Sequence, residues 1–263
     1  MRDEKPSSEK PSSLRPHPSS LDGEAYGAFA YAYDRALGER FFRAVRGLID
    51  SAIERYPAKE KTHLDVACGT AFVVKHFREQ GWTSVGVDAS IEMLRVGRSR
   101  AGDLVAGDFR RLPFRQSFAR ITCVYDSFNH IRERNDLVAA FRAVRGVMNR
   151  DSQFIFDFNH PDMYPDIWGA REPYVAAARD YRLEISTAFR PKDALAMALV
   201  TGWAIVGGRR VEISERHRQR AWSEREIVSA LGNAGLRVVE MSLFDPFDSE
   251  GRPVKMFFVA GVA

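Results

Sequence analysis

Nine residues, His63-Leu64-Asp65-Val66-Ala67-Cys68-Gly69-Thr70-Ala71, narrow what this chain can fold into. Their first half reads as a short buried strand with one inward carboxylate, and their second half as a turn of small residues. Phe72 to Phe77 continues with helical character, and Gly81 stands where that helix should stop. Strand, tight turn and helix in immediate succession form the first half of a βαβ unit. Ligands of such units sit at the carboxyl ends of the strands, where the turn lets backbone come close. Gly69, without a Cβ, can take a positive φ against a ligand.

A nicotinamide or flavin enzyme needs G-x-G-x-x-G at this turn, and one glycine stands where three are required. The Gly-Lys-Ser/Thr ending of a phosphate-cradling loop is missing as well. The next segments are regularly spaced. Val85-Gly86-Val87-Asp88 is a second strand ending in a carboxylate, about 20 residues beyond the first turn, as a ribose ligand requires. Ser90 then caps a helix that carries Met93 and Leu94 in its first turn. Leu104-Val105-Ala106-Gly107-Asp108 reads as a third strand, followed by Phe109. Ile121-Thr122-Cys123-Val124-Tyr125 reads as a fourth, leading into Asp126-Ser127-Phe128-Asn129-His130. In order and spacing, these pieces resemble the class I, Rossmann-like S-adenosylmethionine (SAM) methyltransferases. The likeness is close over residues 60–160 and looser over the last thirty or so. That family usually carries a second glycine where this chain has Ala71.

The resemblance implies an α/β fold: a mainly parallel seven-stranded sheet with helices on both faces. It also implies SAM as cofactor and methyl transfer to the nitrogen or oxygen of a small molecule. Around the cofactor it places Asp65, Ala67, Gly69 and Thr70, then Asp88, Ala89 and Met93, then Asp108, Phe109 and Asp126. Asp88 would accept from the ribose hydroxyls, Met93 would flank the adenine, and Asp108 would accept from the adenine amino group. Asp65 would order the turn amides or meet the methionine ammonium; a buried carboxylate bonded to local backbone is an equal reading. His130 is the general-base candidate, because imidazole titrates near ~6.5, and His160 is a second choice. Tyr33 belongs to a segment that folds over the methionine end of the cofactor in that family. An amine that arrives unprotonated needs in-line positioning and no base. The residues alone leave open a non-catalytic SAM-binding sensor and, with less support, a Rossmann oxidoreductase.

Composition shapes the remainder. Residues 1–22 are rich in Ser and Pro and nearly free of large hydrophobes, which predicts a disordered tail before a methyltransferase domain over 23–263. From Glu39 a helix buries Phe42, Val45, Ile49, Ala52 and Ile53 on one face, and Leu137, Phe141, Val144 and Met148 make a second stripe. A fifth strand, Phe154–Phe158, follows it. Between about 168 and 220 the helical period gives way to three extended stretches, Tyr181–Phe189, Leu195–Val206 and Arg210–Gln219. They predict a small antiparallel sheet inserted between the fifth and sixth main strands. Ser223 and Glu226 form a capping box, and Leu236–Leu243 with Lys255–Val262 predict a terminal hairpin. Residues 171–220 hold ten basic and six acidic residues. Trp168, Trp203, Arg182, Arg216 and Arg218 are therefore candidates to roof an anionic acceptor. No apolar run approaches the ~20 residues of a membrane span. No basic stripe interleaved with aromatics points to nucleic acid. The Cys/His/Asp/Glu pattern offers no metal-ligand spacing. Two cysteines, Cys68 and Cys123, on different strands read as buried fillers, which suits a cytoplasmic protein; a monomer or homodimer is expected.

Overall fold

Buried strands alternate with amphipathic helices in the computed structural model, which describes residues 26–169, 172–246 and 254–263. The tail expected over residues 1–22 lies outside these. Helix α1 (Phe29–Tyr33) passes through a π-helical turn, Asp34–Gly38, into α2 (Glu39–Arg55). The core units follow as β1 (Thr62–Val66), α3 (Phe72–Glu79), β2 (Thr83–Asp88), α4 (Ile91–Gly97) and β3 (Leu104–Ala106). Next come β4 (Phe118–Cys123), α5 (Arg134–Gly146) and β5 (Met148–Asn159). After an insert, α6 (Glu224–Asn233) leads to the terminal hairpin. Within the insert lie β6 (Tyr174–Ala178), β7 (Tyr181–Arg190), β8 (Leu195–Val206) and β9 (Arg209–Arg220). The hairpin is β10 (Leu236–Phe244) and β11 (Lys255–Val262).

The main sheet has the order β10-β11-β5-β4-β1-β2-β3, and β11 alone runs against its neighbours. The chain winds outward from β1 in one direction and from β4 in the other. Their carboxyl ends therefore flank the crevice in which open α/β sheets bind ligands. One face is covered by α2 and α3, whose Val45, Ile49, Val73 and Phe77 pack on Ile155 and Val259. On the other, Phe141 and Val144 of α5 and Ile227 and Leu231 of α6 meet Phe154, Phe156 and Phe258. The Ser223–Glu226 capping box is present in full. No helix among the described residues is long and apolar enough to cross a membrane.

Three local expectations are corrected. The insert has four strands, since β6 adds an alanine-rich, mostly exposed edge without any alternation to announce it. Strand β3 stops at Ala106, which leaves Asp108 in the following loop. Strand β4 starts at Phe118 and ends at Cys123, so Tyr125 belongs to the turn beyond it.

Candidate functional site

The first turn leaves the sheet through three left-handed residues, Ala67 (φ 56°), Gly69 (φ 51°) and Ala71 (φ 66°). Positive φ at an alanine costs on the order of 1–2 kcal/mol, so the rest of the turn must hold it there. Asp88 does much of that. Its carboxylate accepts from the Gly69 and Ser90 amides, each at 2.8 Å, and so joins the ends of β1 and β2. Burial raises its pKa against the pull of those amides. Under the turn, a Cβ on Gly86 would fall 2.6 Å from Cys68 Sγ, so a glycine there lets the cysteine pack down. Above it, a Cβ at Gly69 would meet nothing within 4 Å. Thr70 Oγ1 is buried without a partner, Ala89 is exposed, and Met93 is buried with its amide donated to Ser90 Oγ at 3.1 Å.

Asp65 ends a buried relay across three strands. Thr122 Oγ1 donates to Asp65 Oδ1 at 2.6 Å and faces His63 Nε2 at 2.9 Å, while His63 Nδ1 meets Ser84 Oγ at 2.7 Å. With the Thr122 proton given to Asp65, His63 must donate from Nε2 and accept from Ser84 at Nδ1. That requires neutral imidazole, and burial against Phe77, stacked 3.5 Å away, keeps its pKa low. The same desolvation raises Asp65 to about 7, against the opposing Thr122 hydrogen bond.

At the end of β4, Tyr125 (φ 67°) and Asp126 (φ 52°) are consecutive left-handed residues. Such strain in non-glycine residues gathers at functional sites. Asp126 accepts from Lys255 Nζ at 2.7 Å and Gln219 Nε2 at 2.6 Å, and its amide donates to Asp157 Oδ1 at 2.7 Å. Lys255 also pairs with Asp157 at 3.2 Å. Tyr125 Oη is buried with no partner. The third-strand pair is arranged differently: Asp108 is gripped by Arg110 Nη2 at 2.5 Å, and Phe109 packs edge-on to Phe128 in the core. His160 lies beside Asp162, whose amide donates to its Nδ1 at 3.3 Å.

The roof is made where the start of the described chain meets the insert. Glu215 of β9 accepts from the Tyr26 amide at 2.8 Å and the Phe29 amide at 3.0 Å. The Tyr26 ring then lies 4.7 Å from the His217 ring and 5.9 Å from that of His130, with its hydroxyl 3.4 Å from His130 Nε2. Tyr33 stands edge-on to Tyr26 at 5.7 Å. Burial pushes both phenols upward, so they act as neutral hydroxyls. His217 is 5% exposed, and neither ring nitrogen has a hydrogen-bond partner, although Glu215 Oε2 is 3.3 Å from Nε2.

Register decides which insert residues reach this roof. Ile213, Glu215, His217 and Gln219 alternate with Glu212, Ser214, Arg216 and Arg218, and the first set is the more buried. Arg182 pairs across β7 and β8 with Trp203, which pairs with Glu212, so these too lie on the outward face. Trp203 carries Arg210 on its ring, 4.8 Å from the centroid, and Trp168 packs on Tyr164. The arginines expected to cover an anionic acceptor thus lie on the face opposite Glu215 and His217. Sequence reasoning missed Tyr26, Glu215, His217, Gln219 and Lys255. The period-two alternation of β9 was the available signal for three of them.

The arrangement suits the cofactor implied by the first turn. Open space above Gly69, the Asp88 carboxylate and unpartnered Thr70 and Tyr125 hydroxyls suit a ribose joined to a charged amino acid. Comparison with known proteins agrees. Residues 64–151 match a family described as a methyltransferase domain. The chain is 23% identical over 250 residues to the putative methyltransferase YqeM of Bacillus subtilis, covering 89% of this chain and 96% of that one. It is 31% identical over 119 residues to dTDP-3-amino-3,6-dideoxy-alpha-D-glucopyranose N,N-dimethyltransferase of Streptomyces fradiae. That match covers 43% of this chain and 46% of the Streptomyces enzyme, so the chain spans under half of its length. A SAM-dependent methyltransferase from Clostridium acetobutylicum superposes with a TM-score of 0.75 at 22% identity, covering 90% of this chain and 99% of that one.

Proposed function

We propose, for a chain that is a class I S-adenosylmethionine-dependent methyltransferase, that the acceptor is the amino nitrogen of a small molecule such as an aminosugar. One observation carries this reading: the Tyr26–His130–His217 cluster, closed over the end of β4 by Glu215, offers polar aromatic rings and no arginine. A nitrogen nucleophile needs such a place, since it arrives uncharged and leaves the reaction cationic. The Streptomyces relative, an N,N-dimethyltransferase of an aminosugar, supports the same class.

When bound, SAM supplies a sulfonium whose methyl carbon is electrophilic. Everything else falls to the chain. In this proposal Asp88 receives the ribose hydroxyls, and Asp65, set by Thr122, receives the methionine ammonium. The first turn, through Ala67, Gly69 and Thr70, presents backbone to the cofactor, with Ala89 and Met93 beside the adenine. Asp108 is already engaged by Arg110 and can accept from the adenine through its remaining lone pairs. Asp126, fixed by Lys255 and Gln219, ties the roof to the end of β4 and sets its carboxyl group near the cationic centre. Phenol faces at Tyr26 and Tyr33 favour a cation in the same way.

His130 then takes the proton that the methylated nitrogen sheds, with the Tyr26 hydroxyl orienting its Nε2. General-base assistance contributes about 10²–10⁴-fold. His130→Ala should lower kcat on an amine acceptor about 100-fold, leaving SAM affinity unchanged. Steady-state kinetics with a panel of aminosugars test this. An unchanged kcat removes His130 from proton transfer, and turnover of hydroxyl acceptors alone overturns the nitrogen reading.

A further inference from the structure

The cofactor site occupies the carboxyl ends of the parallel strands; their amino ends border a separate cavity of about 450 Å³. Four cations, Arg55, Lys59, Arg120 and Arg150, line it with one carboxylate, Asp151. Arg55 is ion-paired to Glu240, and Lys59 stands 3.5 Å from Asp151. Arg120 differs from both. It springs from β4, is 1% exposed, and donates from Nη1 to the neighbouring Ala119 carbonyl at 2.8 Å. Its Nε and Nη2 are buried with no hydrogen-bond partner. Burial lowers its pKa to about 10, which still leaves it charged at neutral pH. Gln153, its register partner on β5, lines the same cavity with Oε1 buried and unpaired. The Arg120 guanidinium stands 6.0 Å from the Trp82 ring, but a buried charge without a counter-ion is unfavourable, and an anion relieves it. Two waiting donors, one waiting acceptor and a cationic rim make a recognition set.

We propose that this cavity is a second binding site, which takes the phosphate group of a small phosphorylated molecule. Phosphate presents close to two negative charges and three strong acceptor oxygens, which suits several cations better than a single carboxylate does. The guanidinium fork of Arg120 matches two of those oxygens. Exposed Lys59 and Arg150 complete the charge at the rim, and Gln153 Oε1 accepts from a hydroxyl of the ligand. The volume falls in the range of small-molecule pockets, so the remainder of an ester has room. Arg120 lies three residues of extended chain, about 10 Å, before the end of β4 at Cys123, and the turn that carries Asp126 lies beyond that end, so this ligand should bind without displacing SAM.

The test is thermal unfolding and calorimetry of the full chain with inorganic phosphate, glycerol phosphate or acetate at matched ionic strength. Both phosphates should raise Tm saturably, and acetate should not. Arg120→Met should abolish the rise and, by removing an unpaired buried charge, increase Tm in phosphate-free buffer. Should that variant fail to fold, the exposed pair Lys59→Ala with Arg150→Ala decides, with an expected tenfold or greater loss of phosphate affinity. A rise that survives these substitutions belongs to another site, and the proposal falls. It falls equally if acetate matches phosphate, or if phosphate leaves Tm unmoved.

Discussion

The floor and the roof of the proposed active site are built in opposite ways. The floor is mainly local: Gly69 and Asp88 come from two successive strand–turn units tied by hydrogen bonds 2 and 19 residues long in sequence, and Asp65 beside them reaches Thr122 across 57. The roof is assembled from distant chain, since Tyr26 reaches Glu215 across 189 residues and Gln219 reaches Asp126 across 93. The floor is fixed by backbone strain and amides, the roof by a few side-chain contacts. A change in the floor should therefore appear in cofactor affinity, and a change in the roof in acceptor kinetics.

The largest effect should come from the most strongly desolvated part of the floor. Burial raises Asp65 from 3.8 to about 7, so the folded chain prefers its protonated form. This preference is complete below about pH 4 and is lost as pH rises through 7, where the carboxylate must ionise in the core. Its full size is about 4 kcal/mol, or roughly 10 °C in Tm for a chain of this length. Asp65→Asn should accordingly raise the Tm of the SAM-free protein at pH 8, give no gain at pH 4, and weaken SAM binding. A gain that is the same at both values would separate Asp65 from the pH dependence.

Asp88 comes next. In the proposed site its loss would remove the ribose acceptor, and it also unties the Gly69 and Ser90 amides, at about 1.5–3 kcal/mol for a hydrogen bond to a charged acceptor. Asp88→Ala should weaken SAM at least ~30-fold by calorimetry. Unchanged affinity would take Asp88 out of the cofactor site and erase the distinction between floor and roof.

The same division explains what the amino-acid sequence reveals. Strands β1 and β2, the Ser90 cap, the Ser223–Glu226 box and each of the two terminal strands follow from patterns within about ten neighbouring residues, where spacing and chemistry act together. The π-helical turn Asp34–Gly38 has no such pattern. It depends on tertiary packing, because a Cβ on Gly38 would fall 2.9 Å from the Phe72 ring. Strand β6 escaped notice because alanine on an exposed edge neither alternates nor breaks. His217 and Glu215 were legible as alternating positions on β9, yet which alternate set faces inward is decided by α1, far away in sequence. Lys255 gives no local sign of its burial between Asp126 and Asp157.

Glu215 tests the roof directly. Glu215→Ala frees the Tyr26 and Phe29 amides and loosens the aromatic lid over His130. The acceptor KM should rise about tenfold, or ~1.4 kcal/mol, with SAM affinity held within about twofold. A matching loss of SAM binding would mean that the lid also closes on the cofactor.

The smallest effect should come from the outward face of the insert, and it is the most demanding test of register. Arg216 pairs with Leu199 and Arg218 with Met197, two positions of β8 whose side chains are exposed. Their neighbours Glu215 and His217 turn to the opposite face and carry the contacts to Tyr26. A one-residue slip of β9 would exchange these sets and put both arginines over the acceptor. With the observed pairing, the Arg216→Ala, Arg218→Ala double variant should keep kcat and acceptor KM within about twofold, a shift of ~0.4 kcal/mol. Arg216 is exposed and Arg218 half-buried, and surface charges contribute about 0–1 kcal/mol to stability, so Tm should move little as well. A tenfold rise in acceptor KM would mean that the arginines, and an anionic acceptor with them, belong inside the pocket.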